Sequence, residues 1–325
     1  MNDLTKRGII GLSILGVIIG GLIVLIPGQY GMTHGIQTHA DKQPTQESVI
    51  DSGYAAGGVS HDIVMKTAYK DAPEKILVYK TLPPDVNKEA TRALAEKFNV
   101  TGTLLGETAL QSEDLVYGVQ LTKNSGSAQY INAKRPNDAM DAPENLPSDD
   151  EAVRIATQFL KDRDLLPEGA VFKGTEREYA KGRDTNGNEK LYNGRIVVWY
   201  GRQLNGLEVD GSKISVDVGG SGDIIDYYSN WRDYEPYKEY PIKTPAEAFE
   251  DLKTEGVNIG INSQDTIEIE DMFLAYHSQP GSKTEYYLEP VWIFKGDILV
   301  EGKTVISVRT DIPALKDKPT GLSTT

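Results

Sequence analysis

Apolar and polar positions alternate most clearly between residues 194 and 231. Ile196 to Tyr200 is β-branched and aromatic, Asn205-Gly206 and Asp210-Gly211 are tight-turn dipeptides, and Ile214, Val216 and Val218 alternate with Ser215 and Asp217. This pattern predicts a meander of three or four antiparallel strands. Upstream, Lys75 to Lys80 reads as a strand, and Pro83-Pro84 then interrupts the chain. Val86, Ala90, Ala93, Leu94 and Phe98 mark one face of a helix from about Asp85 to Phe98. Strands follow at Asp114 to Thr122, Ala128 to Ala133 and, further on, Glu268 to Tyr276.

Two helix starts repeat one signature. Ser148-Asp-Asp-Glu151 and Thr244-Pro-Ala-Glu247 both read as capping boxes, and Pro245 suits the first helical position. Val153, Ala156, Phe159 and Leu160 form the inner stripe of the first helix, and Ala248, Phe249 and Leu252 that of the second. Val198-Trp199 and Val291-Trp292 follow these starts at nearly equal spacing, each trailed by a Gly-led strand beginning at Gly211 or Gly302. Recurrence of several features at fixed spacing points to an internal repeat. The expected architecture is α+β: an N-terminal transmembrane helix followed by tandem modules of one helix packed on an antiparallel sheet.

The transmembrane expectation comes from Gly8 to Pro27, an uncharged apolar run long enough to cross a bilayer. Lys6 and Arg7 before it favour a cytoplasmic N-terminus with the remainder outside, in a single-pass topology. A cleaved signal peptide is the competing reading. The resulting division is a cytoplasmic tail at 1–7, a transmembrane helix at 8–27, a stalk at 28–72 and an N-terminal α+β module at 73–135. A linker at 136–147 leads to a central module at 148–243, a C-terminal module at 244–312 and a tail at 313–325.

Composition narrows the chemistry. The net charge of −14 disfavours nucleic acid and anionic lipid, and it would tolerate a basic partner. Without cysteine there are no disulfides, thiolate catalysis or Cys-ligated zinc. His34, His39 and His61 share no metal-ligand spacing, and the alternation Asp184, Asn186, Asn188 departs from a calcium loop at Glu189 and Arg195. A polar hairpin around Asn186-Gly187 is the simpler reading, with a weak cation site involving Glu189 as the alternative. His277 and Ser278 have no acid nearby in sequence to complete a triad, and carboxylate pairs cannot be recognised among 48 acidic residues. No catalytic, cofactor or metal residues are assigned. Asn99-Val100-Thr101 is the sequon.

Tyr200 to Gly211, leading to Ile214 to Val218 and Gly222-Asp-Ile224, together with Glu151-Ala152 and Glu247-Ala248, resembles the PepSY-like group. That group includes the extracytoplasmic YycH and YycI accessory proteins and the propeptide domains of secreted metalloproteases. Glu208 stands where such domains often carry Pro. The resemblance covers 148–312 and implies a membrane-tethered binding, inhibitory or regulatory module outside the cytoplasm, with no catalytic residues to transfer. The competing classes are a cell-surface acidic hydrolase and a passive surface scaffold. Partner-binding candidates are Tyr227, Tyr228, Trp231, Tyr234, Tyr237 and Tyr240, interleaved with acidic residues in the link between two expected modules. The alternative is that Tyr227 and Trp231 fill the core while the others line a loop. The expected partner is a protein or peptide, basic in character.

Overall fold

The computed structural model describes residues 18–19, 22–23, 59–133, 146–183, 189–258, 266–300 and 303–317. Strands β1 (Ile18–Ile19), β2 (Leu22–Ile23), β3 (Val59–Ser60), β4 (Ile63–Met65) and β5 (Lys75–Thr81) come first. Helix α1 (Lys88–Lys97) is capped by the Asn87 side chain, which accepts from the Ala90 amide at 2.8 Å. Short strands β6 (Thr103–Leu105), β7 (Ala109–Gln111), β8 (Tyr117–Leu121) and β9 (Ala128–Asn132) form a meander.

Helix α2 (Asp149–Asp162) starts where Ser148 predicts, its hydroxyl accepting from the Glu151 amide. The Glu151 carboxylate accepts from Arg154 instead of reaching back to the cap. Strands β10 (Ala170–Arg183), β11 (Glu189–Leu204), β12 (Leu207–Val218), β13 (Ile224–Asn230) and β14 (Tyr234–Pro241) follow. Helix α3 (Pro245–Glu255) carries the full reciprocal capping box between Thr244 and Glu247. The chain then runs through β15 (Val257–Asn258), β16 (Thr266–His277), β17 (Tyr287–Val300) and β18 (Lys303–Pro313).

Fourteen of these strands join one mixed sheet. Its first part runs β10-β11-β12-β13-β9-β8-β7-β6, with α1 and α2 covering one face. Ala152, Ala156 and Leu160 of α2 pack there on Ile196, Ile214 and Val216, all fully buried. Its second part holds β16, β17, β18, β4, β5 and β14 around a separate core of Trp292, Phe294, Ile267, Phe249 and Leu252. Burying each such large apolar side chain contributes about 1.5–3 kcal/mol. Between the two parts, β12 pairs with β16 in parallel at Val209↔Tyr276 and Asp210↔His277.

Several expectations are corrected. Tandem helix-on-sheet modules of an α+β fold are not what forms: the protein is mainly β, and both parts hydrogen-bond into one sheet. The meander of each part would otherwise leave unpaired backbone along its edge, and pairing across the boundary satisfies it. Strand β5, far upstream, pairs with both β14 and β17. The single-pass transmembrane helix at 8–27 is also overturned, because no described helix is long and apolar enough to cross a membrane. The described residues of that run are β1 and β2, paired as Ile18↔Ile23 and Ile19↔Leu22; the rest of 8–27 lies outside the described residues. An apolar run alone does not choose between helix and strand, and glycine with β-branched Ile and Val weakens the helix.

The two turn dipeptides behave differently. Asn205 and Gly206, at φ 49° and 79°, form the predicted two-residue connection between Leu204 and Leu207. Asp210-Gly211 makes no turn. It lies in an irregularity of β12, where Gly201 pairs with Lys213 but Arg202 pairs with Val209. A Cβ added at Gly211 would lie 2.2 Å from the Ser278 carbonyl oxygen, whereas one at Gly206 meets nothing within 4 Å. Both glycines have positive φ. Gly206→Ala should therefore cost about 1–2 kcal/mol from backbone strain alone, and Gly211→Ala about 1–3 kcal/mol more because the β12–β16 junction must open. Urea denaturation of both variants measures the difference.

Candidate functional site

Strand β14 is the terminal strand of the sheet order, paired to β5 from Tyr234↔Thr81 to Pro241↔Lys75. Its register shifts between Pro236 and Lys238, leaving Tyr237 as the inserted residue. Pro236 and Pro241 lack an amide hydrogen, so this edge is poorly suited to accepting another strand. What it offers is side chains. Tyr237 and Tyr286 are about half-exposed, at 50% and 51%. The Tyr237 ring lies 5.2 Å from that of Tyr287. Beside them the Lys238 ammonium sits 5.3 Å from the Tyr240 ring, and Lys80 pairs with Glu235 at 3.3 Å.

The six aromatic candidates therefore divide. Tyr227 lies in the first core against Phe98 at 5.4 Å, and burial pushes its phenol up to about 12. Trp231 packs on the same core, with the Arg202 guanidinium 4.8 Å from its ring. Arg202 also lies 4.7 Å from the ring of Tyr234. The Tyr234 hydroxyl donates to Ser278 Oγ at 3.0 Å, and burial, with Glu285 nearby, raises its pKa. Tyr228 is half-buried on β13. Tyr237 faces solvent, and Tyr240 is partly buried against the second core. The exposed Tyr286 and the partly buried Tyr287, which packs against the second core, join this group, although nothing local in sequence connects them with residues 227–240. Strand β5 is the link, since it pairs with both β14 and β17.

The loop that delivers Tyr286 is fixed from below by Arg232, which is 3% exposed. Its guanidinium donates to the carbonyls of Gln279 at 2.5 Å, Pro280 at 3.1 Å and Lys283 at 2.8 Å, and to Asn230 Oδ1 and Ser278 Oγ. The buried Glu285 carboxylate accepts from Thr81 Oγ1 at 3.0 Å and from the Gln279 amide at 2.6 Å. A buried cation and a buried anion thus hold the same loop through backbone groups.

Other sequence candidates are placed as follows. His277 lies with Nδ1 3.9 Å from Asp210 and 4.0 Å from Asp311, acids that the parallel β12–β16 pairing and β18 bring to it. Arg309 bridges Glu208 and Asp210 beside them at 2.8 and 2.7 Å. His61 Nδ1 is 3.0 Å from the Lys253 carbonyl oxygen. Asn99 has φ 56°, just beyond α1. His34, His39 and residues 184–188 lie outside the described residues. Among the described residues no group of three His, Asp or Glu side chains could hold a metal ion.

A solved structure of an uncharacterized protein from Eubacterium rectale ATCC 33656 is similar to this chain with a TM-score of 0.43 and 13% identity. It covers 77% of this chain and 87% of that chain. No family model and no curated protein matches.

Arg232→Met would strip the donor from a set of buried acceptors. The expected cost is about 3 kcal/mol or more, read from the denaturant midpoint, with faster proteolytic cleavage within 278–286 under native conditions. Equal cleavage rates in the two proteins would mean that Arg232 does not hold the loop.

Proposed function

We propose that the protein is a binding and regulatory module that captures a protein or peptide partner on the tyrosine edge formed by Tyr237, Tyr286 and Tyr287. The observation that carries this reading is the pair of half-exposed tyrosines, Tyr237 on the terminal strand β14 and Tyr286 in the clasped loop just before β17, the two strands that flank β5. Tyrosine gives large contact area with few rotatable bonds, which is why it is enriched in the energetic centres of interfaces. The supporting loop is already ordered by Arg232 and Glu285, so binding here sacrifices little further entropy.

A basic partner fits best. The net charge of −14 would steer a cationic segment toward the protein over distances comparable to the Debye length. Resemblance to PepSY-like modules supports the same role, a regulator acting outside the cytoplasm on a membrane or secreted protein. Strand addition is a poor mode here, because Pro236, Pro241 and the irregularity at Tyr237 interrupt the outer edge of β14. Recognition would run through side chains.

A panel of Lys- and Arg-rich peptides, with acidic peptides as controls, tests the proposal. Tyr237→Ala combined with Tyr286→Ala should weaken binding of the basic peptides by more than about 1 kcal/mol while leaving the melting temperature within a degree or so of wild type. Tyr234→Ala should instead lower the melting temperature, since that ring is packed under Arg202. Equal affinity of the double variant and the wild type removes this edge as the binding site.

A further inference from the structure

The face of the first part of the sheet opposite α1 and α2 carries a row of ionisable groups that the tyrosine edge does not use. Asp217 on β12 and Asp226 on β13 are direct cross-strand partners. Such partners hold their Cβ atoms about 4.5–5.5 Å apart, and like charges placed there repel. Asp217 is 6% exposed, and its carboxylate takes Arg195 Nη1 at 2.7 Å. Arg195 is shared, since its Nη2 also meets Glu178 at 2.5 Å. For Asp226 the hydrogen-bond donor is the neutral amide of Gln129, at 3.2 Å.

The groups facing the pair come from each neighbouring strand. Strand β10 contributes Glu176 and Glu178, β11 contributes Arg195, β9 contributes Gln129, and Tyr228 lies two residues along β13. Lys213 is further along β12 and sits 5.1 Å from the Trp199 ring. Glu176 is itself shifted upward, chiefly by burial and then by Glu178. One shared guanidinium therefore faces several carboxylates in a partly desolvated row, and the arrangement is under-neutralised when all are ionised.

We propose that Asp217 and Asp226 form a proton-holding pair: in acid Asp226 is protonated and the cross-strand repulsion vanishes, whereas near neutral pH both ionise and strain the β12–β13 pairing. Protonation fits Asp226 better than Asp217, because Arg195 supports the charge of Asp217 directly. The pairing also has a place to yield. Its register shifts immediately beside the pair, where Val218 opposes Ile224 and Ile225 is inserted. The first part of the sheet is thus tighter in acidic than in neutral surroundings, whatever the tyrosine edge binds.

The sign follows from linkage. Burial pushes Asp217 from 3.8 up to about 6 and Asp226 from 3.8 up to about 7, with the charge of Asp217 adding to the second. The folded state takes up protons between about pH 7 and pH 4 while the unfolded chain does not, so this contribution to stability grows as pH falls through that window. It is lost as pH rises through the folded values.

Asp226→Asn keeps the shape and the acceptor for Gln129 while removing the charge. In thermal melts of the full chain at pH 8 the variant should melt about 4 °C higher than wild type or more, and the gap should narrow steadily as pH falls, closing only near pH 4, where the unfolded chain is protonated too. Carboxyl-carbon NMR titration of the wild type should show an Asp with a midpoint above pH 6 that is missing from the variant. Melting curves that stay parallel from pH 5 to 8, or a wild type with no Asp midpoint above pH 6, overturn the proposal. The NMR arm does not depend on how the variant folds.

Discussion

A two-residue parallel pairing, Val209↔Tyr276 and Asp210↔His277, joins the two parts of the sheet. Its placement depends on β12 abandoning β11 for a few residues and turning its backbone toward β16. Gly211 permits that course, because it combines positive φ with a close approach to the Ser278 carbonyl. The Ser278 amide closes the junction by donating to the Asp210 carbonyl at 2.7 Å. Beyond this point the chain immediately enters the loop clasped by Arg232 and Glu285, so the junction also sets where Tyr286 and Tyr287 emerge.

The polar groups at the junction are held in different ways on its two sides. The two Nη groups of Arg232 are held largely by backbone carbonyls, which are neutral and fixed, while Arg309 is shared between Glu208 and Asp210. Charges buried against dipoles carry a desolvation penalty, which only good geometry and many hydrogen bonds offset. The benefit is specificity, because few alternative loop conformations could present several carbonyls to one planar guanidinium. Arg202 adds a second buried cation, stacked near Trp231 and Tyr234, and desolvation lowers its pKa.

What was legible in the sequence was local. The helix caps at Ser148 and Thr244, the Asn205-Gly206 connection and the alternation through Ile214, Val216 and Val218 each depend on a few neighbouring residues, and each formed. What was not legible was pairing between distant strands. Nothing near Lys75 announces that β5 will lie between β14 and β17, and nothing near His277 announces Asp210 or Asp311. The spacing of the two tryptophans likewise carried no information about their surroundings. Trp292 is fully buried and donates to the Lys243 carbonyl, while Trp199 lies on the opposite kind of surface beneath Lys213. Equal spacing fixes the strand, but the face it presents depends on which layer covers it.

The same distinction explains why the aromatic run divides between core and surface. Tyrosines clustered within a short stretch must point to both faces of whatever strands they form, since successive side chains alternate. Tyr227 and Tyr228 are adjacent and already separate on this ground, the first entering the core and the second the opposite face. Tyr237 escapes the alternation because it is the inserted residue of an irregular edge, and an exposed aromatic there finds company only from another strand. A surface built this way is a product of topology: its members come from residues 237, 286 and 287, and the strand that brings them together contributes none of them.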